Sequence, residues 1–279
     1  MRPLVLKLVY LLAAAMVLFA AAVLYVDGHV PAGVPTDAPA YAMSDLVDAY
    51  RAVDARGQVD LAELKKRHAS LEAFVAAMAA TSPETTPELF PTVEARLAYW
   101  LNAYHALALL ELMDTRSKTT SGWNDLFDAV PIGGKRLTRA AIYRRTLSQS
   151  GDARVFLSIF TGAKGRGVLD GAPFDGESLN PQLDDAMRRF VRRKDHVALD
   201  GQTVKLSDLF RRHQDEFLAA LPDERKNLLQ IVWAYLPDAC EADRPGCDTR
   251  SDLDRACGGR FEQCKVVFVP VDEALAVKN

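Results

Sequence analysis

A long apolar run near the N-terminus is the feature that most constrains this chain. No charged residue occurs from Leu8 to Val26, and these 19 positions would rise about 28 Å as a helix. That rise is close to the thickness of a bilayer's hydrocarbon core, so the run predicts a transmembrane helix. Arg2 and Lys7 precede it, and the positive-inside rule therefore predicts a cytoplasmic N-terminus. The expected location is the inner membrane, single-pass, with the domain that follows in the periplasm.

A cleaved signal peptide is the alternative for residues 1–26. Its apolar core would end near Phe19, and residues 20–22 are the small alanines that signal peptidases accept. The apolar run continues to Val26, and this length favours an uncleaved anchor. Either alternative exports the domain. Residues 27–40 carry three prolines and are expected to form a spacer, followed by one domain over 41–279.

Charge and histidine spacing exclude several classes of function. Charged residues make up 25% of the chain and the net charge is -3, so no basic field indicates nucleic acid. The five histidines show no metal-binding helical spacing and no H-E-x-x-H motif occurs. We expect neither a metal nor a cofactor.

The cysteines occur only in the last forty residues, in a segment that spans 240–264. Their spacing, C-x6-C-x9-C-x6-C, is unlike the close pairs of zinc sites, so two disulfides are the preferred interpretation. Three pairings are possible, and the spacing does not choose among them. The four residues are Cys240, Cys247, Cys257 and Cys264.

Hydrophobic periodicity predicts an α+β fold: a predominantly helical single domain with a small, mostly antiparallel sheet, preceded by one transmembrane helix. The helix predicted over 92–114 is apolar on nearly all its faces, which indicates burial at the domain centre. Ala153–Phe160 reads as a buried strand, and Asp200-Gly201 as a hairpin turn. Other helices are expected over 44–56, 60–80, 139–147, from 180, and over 207–220 and 223–236, and a last strand over 265–271.

Several segments, taken in order, resemble the domain of unknown function 547 family. They include RLAYWLNAYHALALL, PIGGKRLTRAAIYRRTL, DARVFLSIFTGAKGRG and LNPQLDDAMRRFV. The most distinctive motifs are W-x-N-x-Y over 100–104, the Gly133-Gly134 turn and D-x-R-V over 152–155. The resemblance implies a polar centre in which a cysteine at a strand end lies beside a histidine, a pair suited to acyl transfer.

This chain departs from the family pattern at each reactive position. Family members commonly read Y-N-A followed shortly by a histidine. This chain has His105 in place of that asparagine and Leu110 in place of that histidine. Where the family has an I-E pair in the helix after the Gly-Gly turn, this chain has Ile142-Tyr143. The two cysteines of C-G-x-K-x-C are Thr161 and Arg166. Thiol chemistry is therefore not expected to survive here.

A small set of residues remains as candidates for a site. Thr161 is a candidate nucleophile and His105 a candidate base, although a buried structural role is preferred for the histidine. Asn102 and Tyr104 are candidate binding residues from the apolar helix. Gly162–Gly167 is a glycine-rich loop in which Lys164 and Arg166 could complete an anion cradle, with a plain surface loop as the alternative. The basic end of the helix after 180 is a weaker candidate for anion binding, since cations there also complement the helix dipole.

Two hypotheses of function follow. The preferred one is a noncatalytic, membrane-tethered extracytoplasmic domain whose partners are the membrane, through residues 8–26, and an unknown envelope protein or small ligand. The alternative is a hydrolase or acyltransferase acting through Thr161 with His105 near the same cleft.

Overall fold

The computed structural model describes residues 2–26, 32–114, 129–240 and 247–278. These ranges contain twelve α-helices and five short strands, so the α+β class with helices dominant is confirmed. The helices are α1 (Arg2–Val26), α2 (Met43–Tyr50), α3 (Leu61–Lys66), α4 (His68–Met78), α5 (Val93–Asp114), α6 (Arg139–Ile142), α7 (Arg154–Ser158), α8 (Leu179–Val191), α9 (Asp208–Arg212), α10 (Gln214–Ala219), α11 (Leu228–Tyr235) and α12 (Arg250–Ala256). The strands are β1 (Val130–Ile132), β2 (Lys135–Leu137), β3 (Val197–Asp200), β4 (Thr203–Ser207) and β5 (Lys265–Val269).

The first helix forms, but the prediction that it crosses a membrane is wrong. Among the described residues, no helix combines the length and the apolarity that a membrane crossing requires. The predicted single-pass inner-membrane location with a periplasmic domain depended on this helix and is corrected with it.

The segment predicted to be a spacer contacts the domain. Residues 27–31 lie outside the described part, and 32–42 contain no helix or strand. The backbone amide of Ala32 donates to the carbonyl of Gly134, 2.8 Å away in the β1–β2 turn. Residues 32–34 therefore lie against the hairpin.

Helix α5 runs through the larger of two hydrophobic clusters, as its apolar faces predict. Tyr99, Leu101 and Leu109 are almost completely buried on it, and α2 and α4 pack against the same cluster. A second cluster joins α8 to α12 with the second sheet. Buried apolar side chains of this kind are the main favourable term in folding.

The two sheets are small and mostly antiparallel. β1 and β2 form one antiparallel hairpin. In the other sheet β3 pairs antiparallel with β4 across the predicted Asp200-Gly201 turn, and β5 adds in parallel beside β4. After β5 the tail returns along the domain, where Val277 bridges to Val59 and Leu275 to Ala163.

The prediction of a strand over Ala153–Phe160 is wrong, because the segment folds as the short helix α7. The carboxylate of Asp152 accepts a hydrogen bond from the Arg154 amide, and the Ser158 hydroxyl donates to the Arg154 carbonyl. Both bonds stabilise a helical turn. A short apolar run that is buried on all sides has no period, so its sequence does not separate strand from helix.

Three of the longer predicted helices are interrupted. The helix predicted over 60–80 breaks at Arg67, between α3 and α4. The one over 207–220 breaks at His213, between α9 and α10, and the one over 223–236 begins as a 3-10 turn before α11. At each break a polar or charged side chain ends the regular helix.

The cysteines pair as Cys240–Cys247 and Cys257–Cys264, so both predicted disulfides form. Residues 241–246, within the predicted cysteine-rich segment, lie outside the described part. Each disulfide joins cysteines seven positions apart, and Cys257 is buried in the second hydrophobic cluster.

Removing the two disulfides separately is expected to have unequal effects on stability. Their closed loops have the same length, so each contributes a similar chain-entropy term of about 2.5 kcal/mol. Cys257→Ala with Cys264→Ala also removes a buried side chain, and it should lower the free energy of unfolding more than Cys240→Ala with Cys247→Ala. Urea unfolding of the two double variants measures the difference. Equal losses would show that burial of Cys257 contributes nothing.

Candidate functional site

A cleft with a volume of ≈ 490 Å³ borders the larger hydrophobic cluster through Tyr104 and Ile159. Aromatic rings and guanidinium groups dominate its wall. The residues that line it are Tyr104, Arg139, Ala140, Tyr143, Arg144, Phe156, Ile159, Thr161, Arg166, Arg212, His213 and Glu273. Tyr104, Thr161 and Arg166, three candidates from the sequence, are thereby brought together.

One wall of the cleft comes from α6 and the turn that follows it. The Thr138 hydroxyl caps α6 by accepting the Ala141 amide, as predicted. Tyr143–Leu147 then forms a π-helical turn, in which the Ser148 amide donates to the carbonyl of Tyr143 five positions earlier. Such turns are rare and often accompany functional sites. Here the turn directs Tyr143 and Arg144 to the cleft.

The opposite wall comes from α7 and the glycine-rich loop. The hydroxyl oxygen of Thr161 is buried and has no hydrogen-bond partner within the described ranges. Arg166 binds the Glu273 carboxylate at 2.8 Å through Nη2, while its buried Nε has no hydrogen-bond partner among the described residues. Buried polar atoms are normally satisfied, so these two atoms are candidates for contact with a ligand.

His213 enters the cleft because the helix predicted there is interrupted at this residue. Its ring stacks on Phe156 with centroids 4.0 Å apart and planes 8° from parallel. Burial lowers the pKa of His213, so the ring is neutral near pH 7. Burial raises the pKa of Tyr143, which therefore keeps its phenolic proton.

Guanidinium groups outnumber carboxylates in the lining of the cleft. Four arginines line it against the single carboxylate of Glu273. Arg139 forms an ion pair with Glu111 and lies 5.3 Å from the Tyr104 ring centroid, and Arg212 pairs with Asp208 at 2.7 Å. A guanidinium carries five N–H donors, so these pairs leave donors for a ligand.

His105 lies elsewhere and does not line this cleft. Its Nε2 accepts the Phe160 amide at 3.1 Å, which places the proton of the neutral ring on Nδ1, 3.1 Å from the Tyr50 hydroxyl. Burial lowers the pKa of His105 to about 3. Because both ring nitrogens are engaged, the structure does not bring His105 to Thr161 as a base. Adjacent helix positions point in different directions, so Tyr104 faces the cleft and His105 does not.

The remaining candidates occupy other positions. Asn102 clamps the backbone of Phe174, donating to its carbonyl at 2.7 Å and accepting its amide at 2.9 Å. Lys164 and Arg166 diverge, so the loop does not form one cradle: Arg166 lines the first cleft and Lys164 a second cavity. Within the described ranges, no group of three or more His, Cys, Asp or Glu side chains could hold a metal ion.

Comparison with protein families adds one finding. Residues 90–191 match the family model described as a protein of unknown function, DUF547. The resemblance seen in the sequence motifs is confirmed over this range, which we call the DUF547-like region. It supplies Tyr104, Thr161 and Arg166 to the cleft. Arg212, His213 and Glu273 come from beyond it. No curated protein and no solved structure is significantly similar to the chain.

Of the twelve residues that line the cleft, only Tyr104, Thr161 and Arg166 were candidates from the sequence. The other nine were not singled out as site residues, and Tyr143 was noted only as a replacement for glutamate. The sequence predicted a helix that begins at Ser207 and carries arginines at 211 and 212, but no local pattern placed this helix beside residue 161. Only the tertiary structure brings these residues together.

Proposed function

We propose that this chain is a noncatalytic binding protein whose cleft takes a small organic anion, with a carboxylate and an apolar or aromatic body. The observation that carries the proposal is the excess of guanidinium groups over carboxylates in the lining of the cleft, beside a buried Thr161 hydroxyl that has no hydrogen-bond partner in the described part of the chain. Arginine binds carboxylates through two parallel hydrogen bonds. The rings of Tyr104, Tyr143 and Phe156 suit the apolar body.

The replacements in the DUF547-like region support binding rather than turnover. Thr161 stands where the family has a cysteine, and a threonine hydroxyl needs a strong base to act as a nucleophile. His105 is engaged through both ring nitrogens. Binding requires only the charges and the shape of the cleft.

Benzoate titration of the full chain tests this proposal, with uncharged benzamide as the matched ligand. Arg212→Gln should weaken benzoate binding about tenfold, because a charged hydrogen bond is lost. Arg211→Gln is the control: Arg211 is on the same helix and also binds Asp208, but it does not line the cleft. Isothermal titration calorimetry measures both.

Equal binding of benzoate and benzamide, or equal effects of the two arginine variants, would contradict an anion site. Thr161→Val tests the noncatalytic part, because valine keeps the shape and removes the hydroxyl. Covalent labelling by an activated ester that disappears in Thr161→Val would show catalysis and overturn that part.

A further inference from the structure

The second cavity joins two features that appeared unrelated in the sequence. It has a volume of ≈ 390 Å³ and lies on the other side of the glycine-rich loop from the first cleft. Lys164 reaches it from that loop, and Arg189, Arg192 and Arg193 reach it from the basic end of α8. Arg56 comes from a third segment, the turn after α2. Cations from three separate parts of the chain therefore converge.

The carboxylates of this cavity are already engaged. Asp170 pairs with Arg189 at 2.8 Å, and Asp195 pairs with Arg193. Asp54 accepts the backbone amides of Arg56 and Gln58 through one oxygen, and Asp272 accepts the Ala274 amide. Each of these four carboxylates therefore already forms an ion pair or accepts a hydrogen bond within the protein.

Two of the cations have no such partner. Within the described ranges, the Lys164 ammonium and the Arg56 guanidinium make no hydrogen bond and no ion pair. The Lys164 backbone, by contrast, is held firmly: its amide donates to Ala274 and its carbonyl accepts from Arg193, both at 2.8 Å. Because Lys164 is half-buried and its backbone is held in place, its ammonium group is available to bind a ligand in the cavity.

We propose that this cavity is a second anion site, selective for a compact phosphate group. Unlike the first cleft it has no aromatic wall, and its apolar lining is limited to small aliphatic side chains such as Val168 and Ala276. Lysine binds phosphate as a point charge and arginine through its planar fork. Cations at the end of α8 also complement the helix dipole, but that role does not account for Lys164 and Arg56, which lie on other segments.

Calorimetric titration of the full chain with inorganic phosphate and, separately, glycerol 3-phosphate tests the site and distinguishes free phosphate from a phosphate monoester. Lys164→Gln should weaken binding about tenfold, because one charge-assisted contact is lost. Lys205→Gln is the matched control: it removes the same charge from the β3–β4 hairpin, where Lys205 pairs with Asp200. Its affinity should stay within about twofold of the parent chain.

A second variant keeps the test decisive if Lys164→Gln lowers stability. Arg56 is exposed, so Arg56→Gln should fold normally and weaken phosphate binding in the same direction. No saturable binding by the parent chain, or weakening by Arg212→Gln with none by Lys164→Gln, overturns the proposal.

Discussion

Gly167→Ala is expected to lower the free energy of unfolding by about 3 kcal/mol, one of the two largest effects we predict. A Cβ at this position would lie 2.6 Å from the Ser158 carbonyl carbon and 2.8 Å from the Ile159 nitrogen and oxygen. All three are backbone atoms of a buried segment, so no side chain can rotate away. The loop and the segment 158–161 must separate to admit the methyl group.

The displaced residues belong to the cleft. Ile159 and Thr161 line it on one side of the contact, and Arg166 precedes Gly167 on the other. Folded Gly167→Ala protein should therefore also bind benzoate more weakly. Urea unfolding measures the stability, and calorimetry the binding.

Gly171→Ala is the control for this substitution. A Cβ on Gly171 would meet nothing within 4 Å, and the backbone there does not adopt a positive φ. Replacing glycine at such a position is neutral or slightly stabilising, since the unfolded chain loses freedom. If Gly167→Ala proved as stable as Gly171→Ala, the close approach of the two segments would be wrong.

Acidification from pH 6.5 to pH 5 is expected to destabilise the fold by about 3 kcal/mol through two buried histidines. Burial lowers the pKa of His105 to about 3 and that of His196 to about 4. Both rings are almost completely inaccessible to solvent. Each contributes about 1.5 kcal/mol over this interval, because a histidine in the unfolded chain is half protonated at pH 6.5 and almost fully protonated at pH 5.

The sign follows from proton binding. In the unfolded chain a histidine has a pKa of about 6.5 and takes up a proton below it, whereas the folded chain keeps both rings neutral down to their lowered pKa values. The unfolded state thus binds more protons, and stability falls as the pH falls from about 6.5. The loss from each ring levels off below its folded pKa. Half-buried His213 acts in the same direction.

Urea unfolding at pH 6.5 and pH 5 measures the effect. His196→Phe should remove about half of the pH dependence, because the aromatic ring can still stack on Phe190 but does not titrate. His68→Gln, at a half-exposed position, is the control substitution. An unchanged slope in His196→Phe would show that this ring is not kept neutral by the fold.

Residue patterns predicted those parts of the fold that short-range chemistry controls. The all-round apolar character of α5 indicated burial, and the helix lies within the larger hydrophobic cluster. Asp200-Gly201 predicted the β3–β4 hairpin, and Thr138 and Ser207 predicted helix starts where their hydroxyls accept backbone amides. The motif order predicted the DUF547 resemblance. The caps and the hairpin turn depend on only a few neighbouring residues.

Predictions from the sequence were wrong where the same local pattern is compatible with two different structures. The apolar run that forms α7 had no period to separate helix from strand. Length and absence of charge predicted a transmembrane helix at the N-terminus, but among the described residues no helix qualifies as a membrane span. His105 could be proposed as a base only because its partners, Tyr50 and the Phe160 amide, are each 55 positions away in the chain.

The amino-acid sequence by itself determined the helix-rich class, the turns, the caps, the presence of two disulfides and the loss of the family's cysteines and histidine. Only the tertiary structure decided that Thr161 faces Arg212 and Glu273, and that Lys164 turns away from Arg166 to join α8. The physical reason is distance along the chain. Caps, turns and periodicity depend on neighbouring residues, whereas each cavity is assembled from segments that only packing of the two hydrophobic clusters brings together.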